Sequence, residues 1–169
     1  MEDSHPTNAV ILYFLRHGKA GQPRAHQDDA RELTPRGVAA LRAAAPLWRR
    51  LKLRPNVVIS SPLPRALQTA ELFVEGAGLD EPPVMDDRLR PGADWADMAA
   101  AAAELPGAQR VMFVGHEPDL SSAVAELTGA TSVRLRKGGL AAVDFEGAPQ
   151  PGRGELAWLL DPDLYDGDD

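Results

Sequence analysis

The sequence predicts an α/β fold: a three-layer α/β/α sandwich around a mostly parallel sheet that ends in an antiparallel hairpin. Three observations predict it. The runs VILYFL (10–15), NVVIS (56–60) and RVMFVG (110–115) are apolar without in–out alternation, which marks strands covered on both faces. A stretch with helical periodicity follows each of these runs, the alternation that builds parallel sheets. Two later runs, GLAAVDFEG and GELAWLLDP, flank a Gly/Pro-rich turn at 147–154 and read as a hairpin.

Taken in order, VILYFL is the first strand. LTPRGVAALRAAAPLWRRLKL is a helix, with Thr34 as N-cap and Pro35 at its first position. Val38, Leu41, Ala45, Trp48 and Leu51 share one face by spacing. Pro46 lies inside this helix and predicts a bend. NVVIS is the second strand, and a helix follows it with Ser61 as N-cap, Pro62 first and Gly76–Gly78 as the stop. PPVMDD holds a short strand near Val84, and ADWADMAAAAAEL is a helix closed by Pro106 and Gly107. After RVMFVG, a helix starts at Pro118 and stops at Gly129. Trp48, Trp95 and Trp158 read as core or half-buried residues.

The 169 residues fit a single domain spanning 1–169, with 1–8 and 162–169 as solvated tails. There are 25 acidic and 18 basic side chains, a net charge of −7, which argues against non-specific binding to nucleic acid or an anionic membrane. With no cysteine, disulfides, thiolate metal sites and cysteine nucleophiles are excluded. The four histidines lack any close ligand spacing, so no metal site is expected. The polar N-terminus and the short apolar run after it fit neither a secretory signal nor a membrane span, and a cytoplasmic protein is expected.

The first strand poses a chemical question. Its apolar run stops abruptly at Arg16 and His17. Burying charge without a partner costs several kcal/mol, roughly. In open α/β sheets, ligands bind at the carboxyl ends of strands. Arg16 and His17 end the first strand, His116 ends the RVMFVG strand, and Arg65 lies early in the helix after NVVIS. Two arginines and two imidazoles at one edge repel each other unless a multi-oxygen anion joins them. A phosphoryl group carries about two negative charges, and arginine forks match its oxygens. A neutral imidazole there is also a nucleophile that needs no base to remove a proton.

The stretches LRHGKA, SSPLPRALQTAE and VGHEPDLS resemble, in order, the three signatures of the histidine phosphatase superfamily. Together with RKGGLA they look most like its SixA-type phosphohistidine phosphatases. The resemblance implies a phosphoglycerate mutase-like fold and a phosphatase that works through a covalent phosphohistidine, with no metal and no cofactor. It implies His17 as nucleophile, Arg16, Arg65 and Gly18 as phosphoryl-binding groups, and His116 as a second imidazole on the same oxygens. Many members place a glutamate proton donor after the third strand; here that stretch is RLRPGAD, with Pro91 near the place. Asp28, Asp29 and Glu117 are the remaining candidates for the acid. A missing acid favours P–N over P–O cleavage, because imidazole is a far better leaving group than an alkoxide. The expected partner is a phosphorylated protein, such as a histidine phosphotransfer domain, or a small phosphorylated molecule. The alternatives are a small-molecule phosphomonoesterase and a non-catalytic phosphate-binding module.

Overall fold

A computed structural model of the chain describes residues 9–23 and 28–164. Residues 1–8 and 165–169, most of the expected tails, and His26 lie outside the described residues. Residues Pro162–Leu164 form a short 3-10 turn.

The strands are β1 (Val10–Arg16), β2 (Val57–Ser60), β3 (Val84–Met85), β4 (Arg110–Gly115), β5 (Leu140–Phe145) and β6 (Glu155–Leu160). The helices are α1 (Pro35–Arg50), α2 (Pro64–Ala77), α3 (Trp95–Ala103) and α4 (Asp119–Thr128). The six strands form one sheet in the order β3-β2-β4-β1-β5-β6. Pairs β1–β4, β2–β4 and β2–β3 are parallel, while β1–β5 and β5–β6 are antiparallel. The sheet is thus the mostly parallel one with an antiparallel terminal hairpin that the apolar runs predict.

Burial on both faces explains the unbroken apolar runs. From β1, Leu12 and Phe14 enter a core shared with Trp95, Met98, Leu120 and Val124 of α3 and α4. Tyr13 and Leu15 point the other way, into a core with Leu41 and Trp48 of α1 and Phe73 of α2. Trp48 is fully buried against Phe73 at a ring distance of 4.9 Å.

Local signals hold with three adjustments. Thr34 caps α1 by accepting the Gly37 N–H, as its sequence position implies. The helix runs unbroken through Pro46, and its buried face is Gly37, Leu41, Ala44 and Trp48. Leu51 is exposed, because it lies just past the last turn. The second helix begins later than expected: Leu63 is the N-cap and Pro64 the first residue, not Ser61 and Pro62. The reason is steric. A proline disfavours the helical region for the residue before it, and Leu63 stands at φ −64°, ψ 138°. Gly78 and Gly129 close α2 and α4 in left-handed conformations, where a Cβ would be penalised.

Among the described residues, no helix is long and apolar enough to cross a membrane, and no group of three or more metal-ligating side chains gathers.

Candidate active site

The central strands β1 and β4 and their neighbour β2 all end at one edge, and the predicted residues meet there. Arg16 is the last residue of β1 and is paired with Gly115, the last of β4. His17 follows, its N–H bonded to the Gly115 carbonyl at 3.1 Å. His116 follows Gly115, and the two imidazoles lie 5.3 Å apart, centroid to centroid, tilted by 56°. Ser61 follows β2 and is bonded through its N–H to Val114 of β4. Arg65 comes in on the first turn of α2. His17, Arg65 and His116 are all buried.

The loop after β1 is fastened on two sides. The Gly18 N–H donates to Thr69 Oγ1 at 3.0 Å, and that hydroxyl donates to the Arg65 carbonyl at 2.7 Å. Gln68 accepts the Leu33 N–H at 2.8 Å. On the other side, the Gly138 N–H reaches the carbonyls of both Arg16 and His17, and the Arg16 N–H reaches Gly139. The loop after β1 is therefore tied both to the helix that carries Arg65 and to the RKGG turn.

Hydrogen bonding fixes the tautomer of His17. Its Nδ1 lies 2.8 Å from the Gly18 carbonyl, which can only accept. Nδ1 therefore carries the proton, and Nε2 presents a lone pair. The pKa of His17 is lowered to about 4, chiefly by burial, with Arg65, Arg16 and Arg31 adding repulsion against the Gly18 bond. That of His116 is lowered to about 3, again by burial first, then by His17, Arg65, Arg31 and Arg16. Both rings are neutral at pH 7.

The cations are incompletely satisfied. Arg16 donates from Nη1 to the Leu135 carbonyl at 3.0 Å, and Arg65 donates from Nη1 to the Asp28 carbonyl at 3.0 Å. Yet Arg16 Nε, Arg65 Nε and His116 Nδ1 are buried with no partner. Unpaired buried polar atoms are uncommon, and three at one strand edge mark a place for an oxygen-rich anion.

The candidate acids separate by position. Asp28 sits at the mouth: its carboxylate bonds Arg31 at 2.8 Å and stands 3.9 Å from Arg65. Asp29 is exposed beside it and reaches Arg65 only through its charge. The Glu117 carboxylate, just before α4, is engaged with that helix's first turn, accepting the Ser121 N–H at 2.9 Å and the Ser121 hydroxyl at 2.6 Å. Around RLRPGAD, the Gly92 and Ala93 N–H groups donate to the buried carboxylate of Asp119. Asp86 and Asp87 there are bonded to Arg88 and Arg90.

Several residues of the site were not assigned from sequence. Thr69, Gln68 and Ser61 lie inside the SSPLPRALQTAE stretch, so the motif contained them, but their bonds cross to other segments. The Leu135 carbonyl gave no local signal, and Asp119 is an acid in the first turn of α4 whose type does not name its partners. Beside the cluster, a groove of about 270 Å³ is lined by Gly18, Lys19, Arg36, Leu41, Lys137 and Pro162, among others. It lacks the histidines and Arg65, so the chemistry is not located there.

A sheet edge with two neutral imidazoles, two arginines and unfilled donors defines a phosphoryl-handling enzyme. Residues 12–106 match the histidine phosphatase superfamily (branch 1), and the chain belongs to that family and is a phosphatase. Within it the chain is of the SixA type. It is similar to a solved protein histidine phosphatase SixA in complex with tungstate, with 27 % identity, coverage of 92 % of this chain and 99 % of the other, and a TM-score of 0.80. A proposed phosphohistidine phosphatase SixA from Agrobacterium tumefaciens gives 27 % identity, coverage of 90 % and 98 %, and a TM-score of 0.76. A mycobacterial glucosyl-3-phosphoglycerate phosphatase shares the fold at 22 % identity, TM-score 0.65, covering 89 % and 98 %. An uncharacterized protein of Picosynechococcus is 34 % identical over 139 residues, 76 % of this chain and 81 % of its own.

Proposed function

We propose that this phosphatase hydrolyses phosphohistidine on a carrier protein, through a phosphoryl group held covalently on His17. The carrying observation is the bond from His17 Nδ1 to the Gly18 carbonyl. It leaves Nε2 as the free lone pair, among buried donors that have no other partner. In the first step Nε2 attacks phosphorus, the P–N bond to the substrate imidazole breaks, and that nitrogen takes a proton from solvent. In the second step water attacks phosphorus, the His17–phosphorus bond breaks, and inorganic phosphate leaves. Arg16, Arg65 and His116 stabilise the charge on the equatorial oxygens. The Gly18 carbonyl supports His17 as it becomes cationic on phosphorylation.

Two observations support a P–N substrate. First, Glu117, Asp86 and Asp87 are engaged elsewhere, and the donors an alkoxide would want reduce to Asp28 and Asp29. Second, the solved SixA relative is named a protein histidine phosphatase. The groove cations Lys19, Arg36 and Lys137 have no ion-pair partner among the described residues and suit an acidic carrier surface. This reading goes with the cytoplasmic location expected from the sequence.

The alternative is a small-molecule phosphomonoesterase with Asp28 as donor, favoured by the reach of Asp28 to Arg65. Turnover of a phosphorylated histidine phosphotransfer domain, measured against a panel of sugar phosphates, decides. Faster turnover of every ester would overturn the proposal. Acid-quenched labelling must also give an acid-labile phosphoryl group on the wild type and none on His17→Ala.

A further inference from the structure

Ser61 holds a position that the catalytic scheme has not used. It is fully buried at the end of β2. Its N–H bonds Val114 on the strand that delivers His116, and the Ser60 hydroxyl bonds its carbonyl at 2.9 Å. The serine backbone is thus locked to β4, two residues before the histidine. Its Oγ lies 2.8 Å from His116 Nε2 and accepts the Leu63 N–H at 3.3 Å.

We propose that Ser61 is a positioning residue for His116: its hydroxyl donates to Nε2 and so keeps the proton on Nδ1, letting the uncharged ring donate to a bound oxyanion. This rests on the reading of the site as an oxyanion pocket.

The argument is a count of protons and lone pairs. A serine hydroxyl has one proton and two lone pairs. The Leu63 N–H takes one lone pair. If Nε2 carried the ring proton, it would take the other, and the hydroxyl proton would stay buried with no acceptor. Nδ1 would then turn a bare lone pair toward an anion. If the hydroxyl donates to Nε2, both groups at Ser61 are satisfied. The one remaining donor, Nδ1–H, is the atom that is buried and unpartnered without a ligand.

A doubly protonated ring is the third possibility. It would put a cation beside Arg16, Arg31, Arg65 and His17, whose charge Asp28 and Asp29 offset around Arg65, Asp28 around Arg31 and Glu117 around Arg16, while no carboxylate among the described residues acts on His116 itself. Burial and those neighbours push His116 down to about 3, which opposes that form at neutral pH. Ser61 thus supplies by hydrogen bonding what protonation would otherwise supply.

The test is histidine-selective 15N NMR at pH 7 on the whole chain, with and without tungstate. His116 is assigned by comparison with His116→Gln. The expected wild-type pattern is a neutral ring protonated on Nδ1, before and after tungstate. In Ser61→Ala the ring should move toward the Nε2-protonated form, and the tungstate Kd should rise about tenfold, the loss of one hydrogen-bonded contact. His17 should keep its own Nδ1–H signature, which shows that the site is otherwise intact. A wild-type His116 protonated on Nε2, or on both nitrogens, overturns the proposal, and so does an unchanged tautomer and Kd in Ser61→Ala. The wild-type spectrum decides even if the variant fails to fold. A wild type with the expected tautomer that binds no tungstate would instead overturn the oxyanion pocket, leaving the role of Ser61 standing.

Discussion

Lowering the pH should weaken this fold through its two site histidines. His17 is held at about 4 and His116 at about 3, against about 6.5 for an unfolded chain. For a base, a lowered folded pKa means that the unfolded chain binds more protons between the two values. Stability is therefore complete above about pH 6.5 and falls as the pH drops toward 4 and then 3. From pH 7 to pH 5, each unfolded imidazole goes from mostly neutral to almost fully protonated, while the folded rings stay neutral. Integrating that difference gives about 2 kcal/mol lost per histidine, about 4 kcal/mol for the pair. Urea unfolding at pH 7, 6 and 5 measures it, with His17→Gln/His116→Gln as the control. Carboxylates such as Asp119 contribute equally to both proteins, so the difference between the two slopes isolates the histidines. Equal pH slopes would refute the claim that both rings are buried and neutral. The kinetic counterpart is that His17 labelling stays flat from pH 8 to 5 and falls near pH 4.

Three other outcomes follow from contacts. Gly37→Ala should destabilise by more than about 2 kcal/mol in urea, because its Cβ would sit 2.3 Å from the Lys19 carbonyl, outweighing a helix-propensity gain of about 1 kcal/mol. Thr69→Val should leave the Gly18 N–H buried without an acceptor, costing about 1–3 kcal/mol and lowering kcat more than it raises KM, as steady-state kinetics would show. Asp119→Ala should strip two N–H groups of the 90–93 turn of their acceptor and lower stability by about 2–3 kcal/mol, with faster hydrogen exchange at Gly92 and Ala93.

What was legible in the sequence is what depends on periodicity and on strand ends. The runs VILYFL and RVMFVG are apolar because helices cover both faces of β1 and β4. The residues just past such strands fall at the ligand-binding edge, which is why Arg16, His17 and His116 could be grouped before any contact was known. Gly129 and Thr34 work as local punctuation for the same reason: their effect lies within one turn of their own position. The start of α2 misled because two local rules competed. Ser61 has the side chain of an N-cap, but Pro64 fixes Leu63 in an extended conformation and moves the start of the helix to Pro64.

The freed serine shows why the rest was illegible. A hydroxyl at an expected cap position reads as a local device, and here it is a long-range one, bonded to a histidine 55 residues away. Thr69 and Gln68 behave alike: each sits in a helical stretch and spends its polar group on a backbone N–H of a different segment. Asp119 looks like a first-turn acid that favours its own helix dipole, yet its carboxylate takes the N–H groups of a turn 26 and 27 residues earlier. In each case the residue type announces a polar contact, and only the fold names the partner. The proposed nucleophile, His17, is by contrast oriented by the carbonyl of the very next residue. That is why the tautomer of His17, with its lone pair on Nε2, can be read from one local bond, whereas the tautomer proposed for His116 depends on how β2 and β4 register.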